Sequence, residues 1–181
     1  DIHLQPGCYH ADYADGDVAA GAIYDRGLFV YSMGYTGLKS DFTGTSNLNL
    51  FKTMFPDAKP KRILDMGCTV GHCTIPYAEA FPDAELQAID VAAPVLRYAH
   101  ARAEAMGFAA HFSQQNAERT DFDDGSFDLI VSHILLHETS RQALHNIMKE
   151  CHRLLRPGGV LVANVMNRWS AWELLGGLLR G

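Results

Sequence analysis

From Lys61 onward short apolar runs alternate with longer amphipathic ones, and this alternation limits the fold of the 181-residue chain more than anything else in it. The spacing predicts strands over 62–65, 85–90, 109–113, 127–132 and 160–165. It predicts helices over 70–81, 92–106 and 139–155. In the last of these Ala143, Leu144, Ile147, Met148, Cys151, Leu154 and Leu155 recur at helical spacing, and Arg156-Pro157-Gly158-Gly159 ends the run. Strands joined through helices need crossovers, and crossovers give a parallel sheet with helices on both faces. The expected fold class is therefore α/β, a doubly wound and mostly parallel sheet. Upstream, Leu48, Leu50, Phe51, Met54 and Phe55 predict a helix over 46–55, with Thr45 or Ser46 as its cap and Pro56 as its stop. Residues 1–44, rich in Gly, Tyr and Asp, are expected to be irregular with one or two short helices.

Ligands of open α/β sheets bind outside the carboxyl ends of the strands, where the strand order reverses. The stretch RILDMGCTVGHCTIPYAEA, residues 62–80, passes through such a point. Gly67 allows a sharp backbone turn, Gly71 allows the next helix to approach the sheet, and the backbone N–H groups of Cys68 to His72 are expected to face a carboxylate or phosphate. Asp90 ends the second strand, where an acid can accept the hydroxyls of a ribose. A nicotinamide loop should read GxGxxG, but Thr69 and His72 stand at its later glycine positions. An NAD-dependent oxidoreductase is thereby the weaker reading. Asp65, closing the first strand, suits a ligand amine better than a pyrophosphate. An amine, a carboxylate and a ribose together describe an amino-acid-bearing nucleoside.

The pieces LDMGCTVG, AID, QNAE, DDGSFDLIVSHILLHE and LLRPGG follow one another in that order. In this they resemble the catalytic domain of class I S-adenosylmethionine-dependent methyltransferases, in particular the small-molecule branch with the ubiquinone and menaquinone C-methyltransferases. The resemblance implies a Rossmann-like sheet ordered 3-2-1-4-5 and S-adenosyl-L-methionine as cofactor. It implies that Asp65, Gly67, Cys68, Thr69 and Gly71 cradle the methionine part and that Asp90, followed by Val91, takes the ribose. Asn116 and the backbone N–H of Ala117 would flank the adenine, with Ser132 and His133 completing the cofactor set. Thr69 stands where the family commonly has Gly or Ser, and Asn116 where it often has Asp. Asn116 could still accept from the adenine amine through its carbonyl oxygen. Such domains normally finish with two further strands, so the supplied chain is expected to lack its carboxyl-terminal strands.

Methyl transfer requires that an acceptor be aligned, water excluded and, for some acceptors, a proton removed. His133 and His137, in the segment after the fourth strand, are the candidate bases, and His137 has a structural alternative as a cap for the next helix. The Asn/Asp-Pro-Pro-aromatic motif of amino-group methyltransferases of DNA is absent. The net charge of −6 carries no basic patch, so a small-molecule acceptor is expected rather than nucleic acid. The four cysteines are scattered without a CxxC pair, which suits a reducing, cytoplasmic setting, and Cys68, His72 and Cys73 match no common zinc spacing, so no metal is expected. No apolar run is long enough to span a bilayer. The chain divides into an amino-terminal lid region (1–58), in which Tyr24, Tyr31, Met33 and Tyr35 could close over a sulfonium, a cofactor-binding core (59–166), and the start of a helical tail (167–181). The tail suits a pocket cover, a homodimer contact or a membrane surface. The alternative to an enzyme is an S-adenosylmethionine-binding regulatory or scaffold subunit without catalysis.

Overall fold

Ile63 and Leu64 are neighbours in sequence, both wholly buried, yet they belong to different apolar clusters. Such a strand is covered on both faces, as a crossover-built parallel sheet requires. In the computed structural model, which describes residues 10 and 12–164, this strand is β1 (Arg62–Met66). It is joined by β2 (Glu85–Asp90), β3 (His111–Gln114), β4 (Phe127–His133) and β5 (Leu155–Asn164) in one sheet ordered β3-β2-β1-β4-β5. All four pairings are parallel, with Leu64 level with Gln87 on one side and Ile130 on the other. The order reverses between β1 and β4, as expected for the doubly wound class.

Helices α1 (Ala19–Tyr31), α2 (Phe42–Met54), α3 (Thr74–Ala80), α4 (Ala93–Met106) and α5 (Arg141–Leu154) complete the domain. On one face of the sheet Leu64, Ile130 and Phe127 meet Leu144, Ile147, Cys151 and Leu154 of α5. On the other Ile63, Leu129 and Val131 meet Tyr77 of α3 and Leu48 and Phe51 of α2. Each buried Leu, Ile or Phe is worth about 1.5–3 kcal/mol. A single hydrogen bond nets about 1 kcal/mol, so burial fixes the layers and polar contacts tune the loops. The Ser140 hydroxyl caps α5 by accepting from Ala143 N at 3.1 Å. At the opposite end of the sheet Asp128 accepts from Lys61 N and Arg62 N at 2.7 and 2.8 Å, tying β4 to the start of β1.

Several boundaries differ from those the sequence predicts. Residues 1–44 were expected to be irregular with one or two short helices, and α1 is one such helix, 13 residues long. α2 starts at Phe42, and Ser46 is not its cap: the Ser46 hydroxyl donates back to Phe42 O at 2.9 Å inside the helix. α3 starts at Thr74 rather than near residue 70, because Gly71 has φ +83°, which no right-handed helix accepts. β3 runs over His111–Gln114, where Gln87 to Asp90 of β2 offer partners. β5 already pairs at Leu155 with Phe127, so Pro157-Gly158-Gly159 forms an irregularity within the pairing and not only a stop. The tail expected over 167–181 lies outside the described residues. Among the described residues no helix is long and apolar enough to cross a membrane.

Candidate active site

The turn after β1 is built on backbone geometry that side chains resist. Gly67 has φ +79°, and a Cβ there would stand 3.1 Å from Leu135 Cβ, so a side chain at this position is strained and crowds Leu135. Thr69 (φ +46°) and Ile134 (φ +65°) take the left-handed region without being glycine, and for a β-branched residue this is strained. Both flank the carboxyl end of the sheet. The loop is held to β2: Gly67 N and Cys68 N donate to Ile89 O at 2.9 and 3.0 Å, and Thr69 N donates to Asp90 Oδ2 at 3.0 Å. Gly71 N donates to Cys68 O at 2.8 Å. The N–H groups of Cys68, Thr69 and Gly71 are thus spent inside the protein, contrary to the expectation that they face a ligand. The physical reason is the left-handed turn, which folds them back on the strand.

Gly67, Asp90, Val91 and Ala117 line a cleft of about 50 Å³, with Ile89, Gln115 and Leu135 completing it. Asp90 Oδ1 accepts from Ala92 N at 3.0 Å, so each carboxylate oxygen already takes one backbone N–H and keeps a second acceptor direction. Burial raises the Asp90 carboxyl above its ordinary value, against the pull of those N–H groups. Asn116 lies beside the cleft and is exposed, and its Oδ1 accepts from Glu118 N at 2.9 Å in an Asx turn. That oxygen is the one expected to meet adenine. Cys68 and Ser132 are buried, and the Ser132 hydroxyl donates to Met66 O at 3.2 Å, clamping β4 to β1.

Asp65 has no exposed surface. Its Oδ2 accepts from the Thr74 hydroxyl at 2.6 Å, and Oδ1 is buried with no partner among the described residues. Burial pushes its carboxyl up to about 7, the Thr74 bond opposing and the Asp90 charge adding. An orphaned, half-neutralised carboxylate oxygen beneath the glycine loop is a place for a cation.

His133, partly buried, carries a buried Nδ1 with no partner among the described residues. Burial, then the neighbouring His72 and His137, push its imidazole down to about 4, so it is neutral at pH 7 and a weak base. His137 Nε2 stands 3.0 Å from Glu138 Oε1 in the 3-10 turn after β4. His72 is buried and engaged elsewhere: its Nε2 lies 2.7 Å from Asp25 Oδ1 of α1. Asp25 also accepts from the Tyr98 hydroxyl at 2.8 Å and from Arg26 Nη2 at 2.7 Å. Burial would raise the Asp25 carboxyl, but His72, Tyr98 and Arg26 outweigh it and hold the group well below the carboxylate range. Burial lowers the His72 imidazole against the pull of Asp25, so the pair is a carboxylate receiving an N–H from a neutral ring. Arg102 Nη1 donates to Val70 O at 3.1 Å, a second brace on the loop. Among the described residues no group of His, Cys, Asp and Glu is disposed to hold a metal ion.

Tyr24 stacks on His72 with ring centroids 5.9 Å apart, whereas Tyr31, Met33 and Tyr35 project into solvent. Asp25, Gly44 and Asn47 were not singled out by the sequence, whereas Gln115 lies in the QNAE piece and Leu135 in DDGSFDLIVSHILLHE. Gly44 lies ahead of the helix predicted over 46–55 and falls inside α2 only in the structure, where glycine costs about 1 kcal/mol against alanine unless something must come close.

A switch-point cleft with a left-handed glycine turn on one strand and a buried acid at the end of the next marks the ligand site of a doubly wound α/β domain. The sequence profile of the methyltransferase domain family matches residues 63–159, more than half of the chain. The chain belongs to that methyltransferase domain family. It is 35% identical over 103 residues to a demethylmenaquinone methyltransferase of Thermus thermophilus, covering 57% of this chain and 46% of the relative. It is 35% identical over 118 residues to a malonyl-acyl-carrier-protein O-methyltransferase of Methylococcus capsulatus, covering 64% and 41%. A crystal structure of an S-adenosylmethionine-dependent methyltransferase from Methanosarcina mazei superposes with a TM-score of 0.52 at 29% identity, covering 57% of this chain and 51% of that one. The chain spans less than half the length of the two curated relatives.

Proposed function

We propose that this chain carries the cofactor-binding half of a methyltransferase that modifies a small molecule. The observation that supports this most is the pairing of Asp90 with the Gly67 turn across one cleft at the reversal of strand order. In this reading the spare acceptor directions of Asp90 take the ribose hydroxyls, Val91 and Ala117 flank the base, and Gly67 gives the chain room beside Leu135. The orphaned Oδ1 of Asp65 receives the amino group, and Thr69 and Gly71 hold the loop that encloses the methionine part. Cys68 and Ser132 support that loop from beneath, and Asn116 shapes the adenine end through its turn. Bound there, S-adenosylmethionine supplies a methyl group on a sulfonium.

The chain's own work is alignment, exclusion of water and handling of the acceptor's proton. His133, neutral at pH 7, serves as a hydrogen-bond partner to the acceptor better than as a strong base. His137, paired with Glu138, orders the turn over which the acceptor enters. The relatives named for menaquinone and malonyl-carrier substrates, together with the acidic net charge of −6, support a small-molecule or carrier-bound acceptor. A second reading, a cofactor-binding subunit without catalysis, is favoured by His133, the candidate base, being pushed down to about 4 by burial and so a weak base.

One assay separates them: transfer of labelled methyl from S-adenosylmethionine to a panel of phenols, quinols and carboxylic acids. Turnover that falls roughly 10²-fold in His133→Ala supports catalysis with His133 at the acceptor. Cofactor binding without transfer to any of the panel supports the subunit reading.

A further inference from the structure

Gly44 and Asn47 lie about one turn apart on α2. A Cβ on Gly44 would stand 2.8 Å from both His72 O and Cys73 Cα. Those are backbone atoms, so α2 rests directly on the loop. The close approach carries Asn47, 6% exposed, to the carboxyl end of the sheet, where its Oδ1 receives Asn164 Nδ2 at 3.4 Å. Asn164 is level with His133 on the adjoining strand. Among the described residues Asn47 Nδ2 is buried without a partner, and so is His133 Nδ1. An orphaned buried donor costs about 1–3 kcal/mol. Leu48 and Phe51 show that the same helix places apolar side chains in the core where only packing is needed. A carboxamide at this point is therefore explained by something it binds.

We propose that Asn47 recognises the methyl acceptor, its Nδ2 donating a hydrogen bond to an acceptor oxygen seated beside His133. The inference rests on the methyltransferase reading and narrows its substrate class. Nδ2 only donates, so its partner is a phenolic, enolic or carboxylate oxygen. An ammonium group, which also only donates, has nothing to accept with. The neighbouring neutral imidazole adds a second polar contact without a charge to repel an anionic oxygen.

The test uses the whole chain loaded with S-adenosylhomocysteine, with p-cresol and benzoate as oxygen-bearing probes and toluene as the matched apolar one. Nitrogen-detected NMR should show the Asn47 side-chain amide shifting with p-cresol or benzoate and not with toluene. Asn47→Ala and Asn47→Ser should each weaken binding of that probe about tenfold, the loss expected for one hydrogen bond worth about 1.4 kcal/mol. S-adenosylhomocysteine affinity should stay within about twofold of the parent, a readout that general unfolding would not spare. If neither oxygen probe moves the Asn47 amide, or both variants bind it as the parent does, the assignment of Asn47 is overturned. If S-adenosylhomocysteine itself does not bind the parent, the cofactor reading has failed, and this proposal with it.

Discussion

Asp65 shows how one residue can couple stability to pH and to cofactor. It has no exposed surface, one oxygen held by Thr74 and the other unpaired among the described residues, and burial places its carboxyl at about 7. Because this folded value is raised above the unfolded one near 4, the group's contribution is fully present below about pH 4 and is lost as pH rises to about 7. Asp65→Asn removes the titration while keeping an oxygen for the Thr74 hydroxyl. Relative to that variant, the parent should lose a few kcal/mol of stability between those pH values, read from denaturant melts at each pH. A constant difference would show that Asp65 is ionised throughout. The same variant should weaken cofactor binding, since a neutral amide replaces the acid that receives the amino group.

At the level of elements, α2 is the piece whose place was least legible. Leu48, Phe51 and Pro56 announced a helix and its end, but nothing in their spacing said that Gly44 would touch His72 O and Cys73 Cα. Gly44→Ala should gain about 1 kcal/mol of helix propensity and lose more to overpacking, for a net cost of about 1–2 kcal/mol and weaker cofactor binding. Calorimetric melts and a cofactor titration check both parts, and a stabilised variant with parental binding would contradict the close docking. The alternating strands, the two-sided burial of Ile63 and Leu64, and the glycine turn were readable because periodicity and backbone conformation are local properties. Boundaries were read less well: Gly71 delays α3, and the partners on β2 draw β3 toward Gln114. In the site, Asp90 and Gly67 were readable from their position at strand ends. Asp25 and Asn47 were not, because each acts on residues far away in sequence and carries no spacing signature.

Across the whole molecule, the amino-terminal helices behave as walls of the core. Leu48 and Phe51 of α2 are buried against β1 and β4, and Asp25 of α1 ties the glycine loop to α4 through His72, Tyr98 and the nearby Arg102. Asp25→Ala leaves the neutral His72 ring and the Tyr98 hydroxyl without this partner and should cost about 1–3 kcal/mol, as orphaning a buried hydrogen-bonding group does. Thermal unfolding measures it, and a shift no larger than that of an exposed substitution such as Asp83→Ala would contradict the account. The central claim is that the cleft between the Gly67 turn and Asp90 holds an amino-acid-bearing nucleoside. Calorimetric titration of the chain with S-adenosylhomocysteine, with NAD as control and Asp90→Ala alongside, tests it most directly. The account predicts a roughly micromolar dissociation constant, no NAD binding, and at least about a tenfold loss in Asp90→Ala. No binding by the folded parent, or equal binding by the variant, would contradict it.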